Sequence, residues 1–186
     1  MSDLAVHNDL HPTERRWFAV YTRARSEKWV QRALTKKGIH AYVPVQRLYR
    51  RYTRSTRLTE KPLIPGYVFV YINRPDYIPV LETEHVAGFV RFSKNLIAIP
   101  EPEIVLLRRI TLEEDLDLRA VPGTIESGDP VEITAGNLTG LHGRVVKIEG
   151  KHRFQVDLEY LGCSLLITID ATFLQKINIP IRVQED

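Results

Sequence analysis

The sequence has 186 residues, 44% of them hydrophobic, which is enough for one or two domains with cores of their own. Its single cysteine, Cys163, excludes an internal disulfide bond and a cysteine-based metal site, and the six histidines are scattered, so we predict neither metal nor cofactor. No apolar run reaches the ~18 residues of a membrane-spanning helix, and the N-terminus lacks a signal-peptide pattern. We therefore expect a cytoplasmic protein without membrane contact.

Charge is unevenly distributed, although the net charge is only +3. Between Arg15 and Lys61 there are 14 lysines and arginines but two acidic residues, Glu27 and Glu60. Many such runs are simply solvated faces. The size of this one and the aromatic residues within it favour a polyanionic partner, in particular a nucleic acid.

The N-terminal part of the chain has a mixed pattern of strands and helices. The alternating, β-rich stretch RWFAVYT predicts a strand at 16–22. A serine N-cap and a glycine stop bound an apolar stripe, which predicts an amphipathic helix at about 26–37. A strand at 40–50 follows, then an arginine-rich turn, and then the strand LIPGYVFVYI at 63–72 as the antiparallel partner of 40–50.

Three further elements complete the first domain, which we place at 14–112. A short helix begins after Asn73, a strand covers AGFVRF at 87–92, and two prolines introduce the helix EIVLLRRI at 103–110. Strands and helices mixed around an antiparallel sheet are typical of the α+β class.

The C-terminal part has a different composition. Residues 113–126 are acidic, lack a sustained period and contain a Pro-Gly pair, so we interpret them as a linker. The short strands DPVEITAG, GRVVKIEG, RFQVDLEYLG and CSLLITID follow, and glycines separate them. This pattern predicts a second domain, a small β-barrel, at 127–180.

The order of these segments resembles a known family. WFAVYT, AYVPVQ, LIPGYVFV and GFVRF resemble the N-terminal domain of the NusG family of transcription elongation factors, and GDPVEITAGNLTGLHGRVVKIEG resembles the KOW motif. The resemblance spans about residues 14–178 and implies an α/β sandwich with a four-stranded antiparallel sheet, followed by an SH3-like β-barrel. It also implies that the first domain binds the clamp helices of RNA polymerase and suppresses pausing or termination, while the KOW domain recruits other factors.

The resemblance places a polymerase-binding pocket on LIPGYVFVYI and the first strand. The proline fixes the backbone at a bend and the glycine permits angles that other residues resist, which orients the tyrosine that follows. Rigid aromatic surface suits an interface because little side-chain entropy is lost on binding. The residues at the family's pocket positions are Tyr21, Ile64, Pro65 and Tyr67. The alternative is that both tyrosines are core aromatics with a hydroxyl at the surface.

A nucleic-acid site is predicted from charge. In RLYRRYTRSTR two tyrosines lie among five arginines; arginine pairs with phosphate, and tyrosine offers a stacking platform. The arginines are Arg47, Arg50, Arg51, Arg54 and Arg57. Arg23 and Arg25 match positions where specialised family members bear basic residues that touch the exposed non-template DNA strand. We therefore predict contact with that strand; the alternative is a hairpin kept soluble by its charge.

The resemblance also implies a subtype and partners for the KOW domain. The compact first domain and GFVRF are most similar to the specialised RfaH/UpxY-like antiterminators, which serve long surface-polysaccharide operons. Positions that present apolar side chains to the ribosomal protein NusE or to the Rho terminator hold Leu138, Leu141, Tyr160 and Leu161. Most of the usual aromatics there are replaced and Cys163 stands where a basic residue is common, which argues against Rho. The alternative is that Leu138 and Leu141 are ordinary barrel-core residues.

No enzymatic chemistry is indicated by the sequence. It suggests no nucleophile–base arrangement, phosphate-binding glycine loop or carboxylate pair in an apolar setting. The alternative to a monomeric polymerase regulator is a ribosomal or ribosome-assembly RNA-binding protein with a KOW barrel.

Overall fold

The computed structural model describes residues 7–52, 55–113, 118–122, 128–148 and 151–177. The chain divides into two compact units, Met1–Thr111 and Leu112–Asp186. The described residues contain both helices and antiparallel sheets, so the mixed class with antiparallel sheets predicted from the sequence is confirmed.

The first unit contains a four-stranded antiparallel sheet in the order β2-β5-β1-β6 and a separate two-stranded ribbon of β3 and β4. Its strands are β1 (Arg16–Thr22), β2 (His40–Tyr42), β3 (Val45–Tyr52), β4 (Ser55–Pro62), β5 (Tyr67–Ile72) and β6 (Val86–Phe89). Its helices are α1 (Glu27–Lys36), α2 (Tyr77–Leu81) and α3 (Glu101–Leu112). In the described part of the chain, no helix has the length and apolar character needed to cross a membrane.

The core of the first unit lies between the sheet and α1. Alternation along β1 buries Phe18 and Val20 on the side where α1 packs, and α1 contributes Val30 and Leu34 to the same cluster. The helix ends where its glycine stop predicts, because Gly38 has a φ of 76°, a backbone angle that favours glycine.

The predicted strand at 40–50 is wrong in one respect: it is two strands separated by Val43 and Pro44. Proline has no N–H to give to a sheet, so the chain leaves the four-stranded sheet after β2. The pairing of β2 with β5 follows the prediction. The predicted arginine-rich turn is much shorter than expected, because β4 pairs with β3 over its whole length, from Val45↔Pro62 to Tyr52↔Ser55.

The residues before β1 form a strap that the sequence patterns did not predict. Asn8 forms a parallel bridge with Leu96, and the backbone N–H of Asp9 donates to the Leu96 carbonyl at 2.9 Å. Leu10 is buried in the core cluster. The strap therefore belongs to the first unit.

The second unit is an antiparallel sheet in the order β12-β8-β9-β10-β11-β7. Its strands are β7 (Leu118–Pro122), β8 (Pro130–Ile133), β9 (His142–Ile148), β10 (Lys151–Leu158), β11 (Cys163–Ile167) and β12 (Leu174–Lys176). The four predicted strands correspond to β8–β11. β7 lies inside the stretch interpreted as a linker, and no pairing between described residues joins β7 to β12 to close a barrel.

Candidate functional site

Tyr21 and Tyr67, predicted to line one pocket, lie side by side. They are register partners on β1 and β5, and their rings meet edge to face with centroids 5.0 Å apart. The Tyr67 hydroxyl donates a hydrogen bond to the Tyr21 hydroxyl at 3.3 Å. Tyr21 is 43% exposed and Tyr67 is half-buried. The pair therefore offers aromatic surface to solvent.

The Pro-Gly bend before Tyr67 is a tight turn that fixes this pair. The N–H of Tyr67 donates to the Ile64 carbonyl at 3.4 Å, with Pro65 and Gly66 as the central residues. Gly66 has a φ of 83°, so the turn has the proline and glycine positions of type II. The N–H of Thr22 donates to the Gly66 carbonyl at 2.8 Å, which ties the turn to the end of β1. Ile64 is buried beneath the turn and Pro65 is exposed.

Glu27 supports the turn from α1, and sequence reasoning missed it. Its carboxylate Oε1 accepts a hydrogen bond from the Gly66 N–H at 2.7 Å, and the residue is only 4% exposed. One signal for it was present: Glu27 is one of two acidic residues in the basic run 15–61. A buried acidic residue needs a hydrogen-bonding partner, and the partner of Glu27 is the Gly66 N–H in the turn.

The face that carries Tyr21 also carries Trp17, and α3 covers the Trp17 end. Trp17 Nε1 donates to Glu101 Oε2 at 2.6 Å. The Arg108 guanidinium lies 5.4 Å from the Trp17 ring centroid and 5.5 Å from that of Tyr42. Burial raises the pKa of the Tyr42 phenol. The tyrosine pair thus lies at the open end of a face whose other end is covered.

The predicted nucleic-acid residues fall into two groups. Arg23 and Arg25 are exposed in the segment after β1, where Arg25 has a φ of 62°. Arg47, at the base of the β3–β4 ribbon, lies 3.6 Å from Glu60, which also pairs with Lys28 at 2.7 Å. The hydrogen bond from Lys28 is the largest cause of a lowered pKa of Glu60.

The remaining arginines are described only in part. The backbone makes Arg50 the register partner of Arg57, and Arg51 that of Thr56. Arg54 lies outside the described residues, as do the side chains of Arg50, Arg51 and Arg57. The ribbon therefore brings the backbones of Arg50 and Arg57 together, and the nucleic-acid assignment stays a prediction.

The four KOW positions differ in exposure. Leu138 and Leu161 are 5% and 4% exposed, Leu141 is half-buried and Tyr160 is 38% exposed. A buried side chain offers no surface to a partner, so only Tyr160 and Leu141 can support the predicted contact. No group of three metal-binding side chains occurs among the residues described in either unit.

Comparisons with known proteins agree with the resemblance. The family model described as transcription termination factor nusG matches residues 15–108, half of the chain. The transcription termination/antitermination proteins NusG of Streptococcus pyogenes serotypes M3 and M1 are 28% identical over 166 residues, covering 83% of this chain and 92% of theirs. The structure of Thermotoga maritima NusG has a similar fold, with a TM-score of 0.52 at 21% identity, covering 89% of this chain and 98% of that one. The chain therefore belongs to the NusG family of transcription termination and antitermination factors.

Proposed function

We propose that this chain binds RNA polymerase through the face around Tyr21 and Tyr67 and suppresses pausing or termination during elongation. The observation that carries the proposal is the solvent-facing tyrosine pair, held by cross-strand pairing, a hydroxyl–hydroxyl hydrogen bond and a tight turn. Rings fixed before binding lose little conformational entropy on binding, which is the property of an interface hot spot.

The proposed target on the polymerase is its clamp helices. An amphipathic helix binds a protein by laying apolar side chains into an apolar depression. The edge-to-face rings provide aromatic surface for such side chains at the end of the sheet, and the buried Ile64 begins the turn that holds Tyr67. The S. pyogenes relatives act in transcription termination and antitermination by name, which supports a polymerase target for this chain.

Contact with the exposed non-template DNA strand is the second part of the proposal. The ribbon presents Arg50 and Arg57 at one register position, and Arg23 and Arg25 are exposed beyond β1. Each phosphate that an arginine neutralises releases counterions from the nucleic acid, which favours binding. The expected contact is to phosphates, which positions the protein without reading sequence.

The second unit is proposed to be a KOW domain with an SH3-like barrel, following a first unit of the NusG α/β sandwich type. Its exposed Tyr160 and half-buried Leu141 are the proposed contacts with a recruited factor, for which NusE is the candidate. We assign the chain to the specialised antiterminators of long surface-polysaccharide operons on the resemblance of GFVRF and the compact first domain.

Copurification tests the proposal against the alternative of a ribosomal RNA-binding protein. The tagged full-length chain is captured from lysate with and without nuclease, and polymerase subunits and ribosomal proteins are quantified. We expect nuclease-resistant recovery of polymerase that is lost with Tyr67→Ala and kept with Tyr160→Ala, an exposed tyrosine of the other unit. Recovery of ribosomes, with no polymerase, would establish the alternative.

A further inference from the structure

A cleft lies beside the turn Ile64–Tyr67, and neither tyrosine of the pair lines it. It has a volume of about 640 Å³ and opens between the segment after β1, the start of α1 and the base of the β3–β4 ribbon. Ala24, Pro62 and Pro65 give it apolar walls. Ligand-binding clefts typically measure ~300–1,000 Å³, so there is room for one or two side chains of a bound segment.

The rim of this cleft carries an excess of positive charge. Arg25, Lys28 and Lys61 line it together with Glu27 and Glu60. The Glu60 carboxylate is paired with Lys28 at 2.7 Å, and the Glu27 carboxylate is buried and bonded to the turn. Arg25 and Lys61 are exposed, and in the described part of the chain neither lies within ion-pair distance of a carboxylate. Among the described residues, two cations therefore flank the cleft without a carboxylate paired to either of them.

We propose that this cleft binds a short acidic peptide segment of a partner protein, with one apolar side chain in the cleft and carboxylates on Arg25 and Lys61. Charge complementarity selects an acidic occupant, and the apolar walls select a side chain that leaves water on binding. A nucleic-acid strand fits less well, because no lining residue is aromatic and bases of single strands bind mainly by stacking. The site goes beyond the proposed function, which uses the tyrosine pair, the arginine ribbon and the exposed Arg23 and Arg25. Arg25 is common to both, while Ala24 and Lys61, the residues changed in the test below, belong to the cleft alone.

The test uses the full-length chain and a short fluorescent peptide with a central leucine flanked by aspartates. A matched peptide with asparagines in place of the aspartates is the neutral control, and oligothymidine is the nucleic-acid competitor. Binding is followed by fluorescence polarisation at low and physiological salt. We expect the acidic peptide to bind more tightly than the neutral one, the more so at low salt, and to resist displacement by oligothymidine.

Variants locate the binding site. Lys61→Gln should weaken peptide binding about threefold, which corresponds to the energy of an exposed ion pair. Ala24→Phe should weaken it at least tenfold, because the larger side chain at this exposed position fills the cleft. Lys94→Gln, an exposed lysine in a turn elsewhere, is the matched control and should have no effect. The fluorescence of Trp17 and Trp29 checks that each variant is folded.

Two outcomes would overturn the proposal. One is peptide binding that Lys61→Gln and Ala24→Phe leave unchanged in folded protein; the other is displacement of the peptide by oligothymidine, which would assign the cleft to nucleic acid. Tyr67→Ala separates this proposal from the proposed function, because it should leave peptide binding intact. Failure of polymerase binding would therefore not bear on the cleft.

Discussion

Tyr67 on β5 is the direct register partner of Tyr21 on β1, and its hydroxyl donates a hydrogen bond to that of Tyr21 at 3.3 Å. The two rings thus act as one surface, because truncation of either side chain to alanine removes the edge-to-face contact and the hydrogen bond together. The turn before Tyr67 also accepts a backbone hydrogen bond at the Gly66 carbonyl from Thr22, the residue next to Tyr21. The geometry of the pair is therefore determined by backbone contacts on both strands.

Tyr67→Ala should weaken binding of the full-length chain to purified polymerase by about 2 kcal/mol, or about 30-fold in Kd. Tyr67→Phe keeps the ring and loses only the hydroxyl contact, so its effect should be several-fold smaller. Titration of labelled polymerase measures both. Because Tyr67 is half-buried at the end of the sheet, the unfolding midpoint of the first unit should change little. Normal binding by Tyr67→Ala, or a protein that fails to fold, contradicts the interface assignment.

Glu27→Ala should lower the free energy of unfolding of the first unit by about 1–3 kcal/mol, because it leaves the half-buried N–H of Gly66 without its carboxylate acceptor. Glu27→Gln keeps an acceptor oxygen and should lose less. Both tryptophans of the chain, Trp17 and Trp29, lie in the first unit, so their fluorescence during urea unfolding reports on that unit alone. Glu14→Ala removes an exposed acid and is the control, with an expected change within about 0.5 kcal/mol. An equal loss for both alanine variants would refute the role of Glu27.

Gly143→Ala should destabilise the second unit by about 1–3 kcal/mol, the cost of overpacking. A Cβ at this position would overlap the carbonyl oxygen of Gln155 and the ring of Phe154 on the neighbouring strand. The urea unfolding transition followed by tryptophan fluorescence should stay unchanged, because both tryptophans lie in the first unit. The far-UV circular dichroism of the whole chain should show a transition at lower urea concentration, because it also reports on the second unit. An unchanged dichroism transition would contradict this prediction, because it would mean that β9 and β10 accommodate the methyl group without loss of stability.

Replacing Arg50, Arg51 and Arg54 by serine should flatten the salt dependence of binding to elongation complexes with exposed non-template DNA. Each lost phosphate contact to a single strand reduces the slope of log K against log salt by about 0.7, so three contacts give about 2. Binding to the isolated polymerase clamp should hardly change. Equal losses in both assays would mean that the ribbon contacts protein, and the nucleic-acid assignment would be wrong.

The elements that bury apolar residues were predictable from the sequence. The alternation in RWFAVYT predicted β1 with its observed bounds. The apolar stripe that ends before Gly38 predicted both ends of α1 to within one residue. The bend at Pro65 and Gly66 was predictable because proline fixes its own backbone angle and glycine permits angles that other residues resist. The candidate pair Tyr21 and Tyr67 came from family resemblance, since composition alone favoured core aromatics.

Contacts distant in sequence account for the elements that were missed. β4 is rich in charged residues and lies in a ribbon with no sheet neighbours, so no apolar alternation identified it. β7 is a short strand in an acidic stretch, and only its pairing with β11 defines it. The bond from Gly66 to Glu27 joins residues 39 positions apart, which no local pattern encodes. Leu138 was predicted to face a partner and is buried, because apolar tips and core positions have the same composition.

Residues 1–115 alone should bind polymerase within about threefold of the full-length chain and still suppress pausing in a purified system, while losing coupling to other cellular factors. The tyrosine pair, its turn and Glu27 all belong to the first unit, and each sheet is completed within one unit. Polymerase affinity and pause lifetimes of both proteins are the measurements.

An exposed apolar face can be covered in a free protein. If the second domain refolded as helices and covered the tyrosine pair, its removal would raise the affinity of the truncated chain for polymerase. The strands GRVVKIEG and SLLITID are rich in β-branched residues and poor helix formers, which argues against such refolding. A gain of tenfold or more on deleting residues 116–186 would contradict this expectation and identify the protein as an autoinhibited switch.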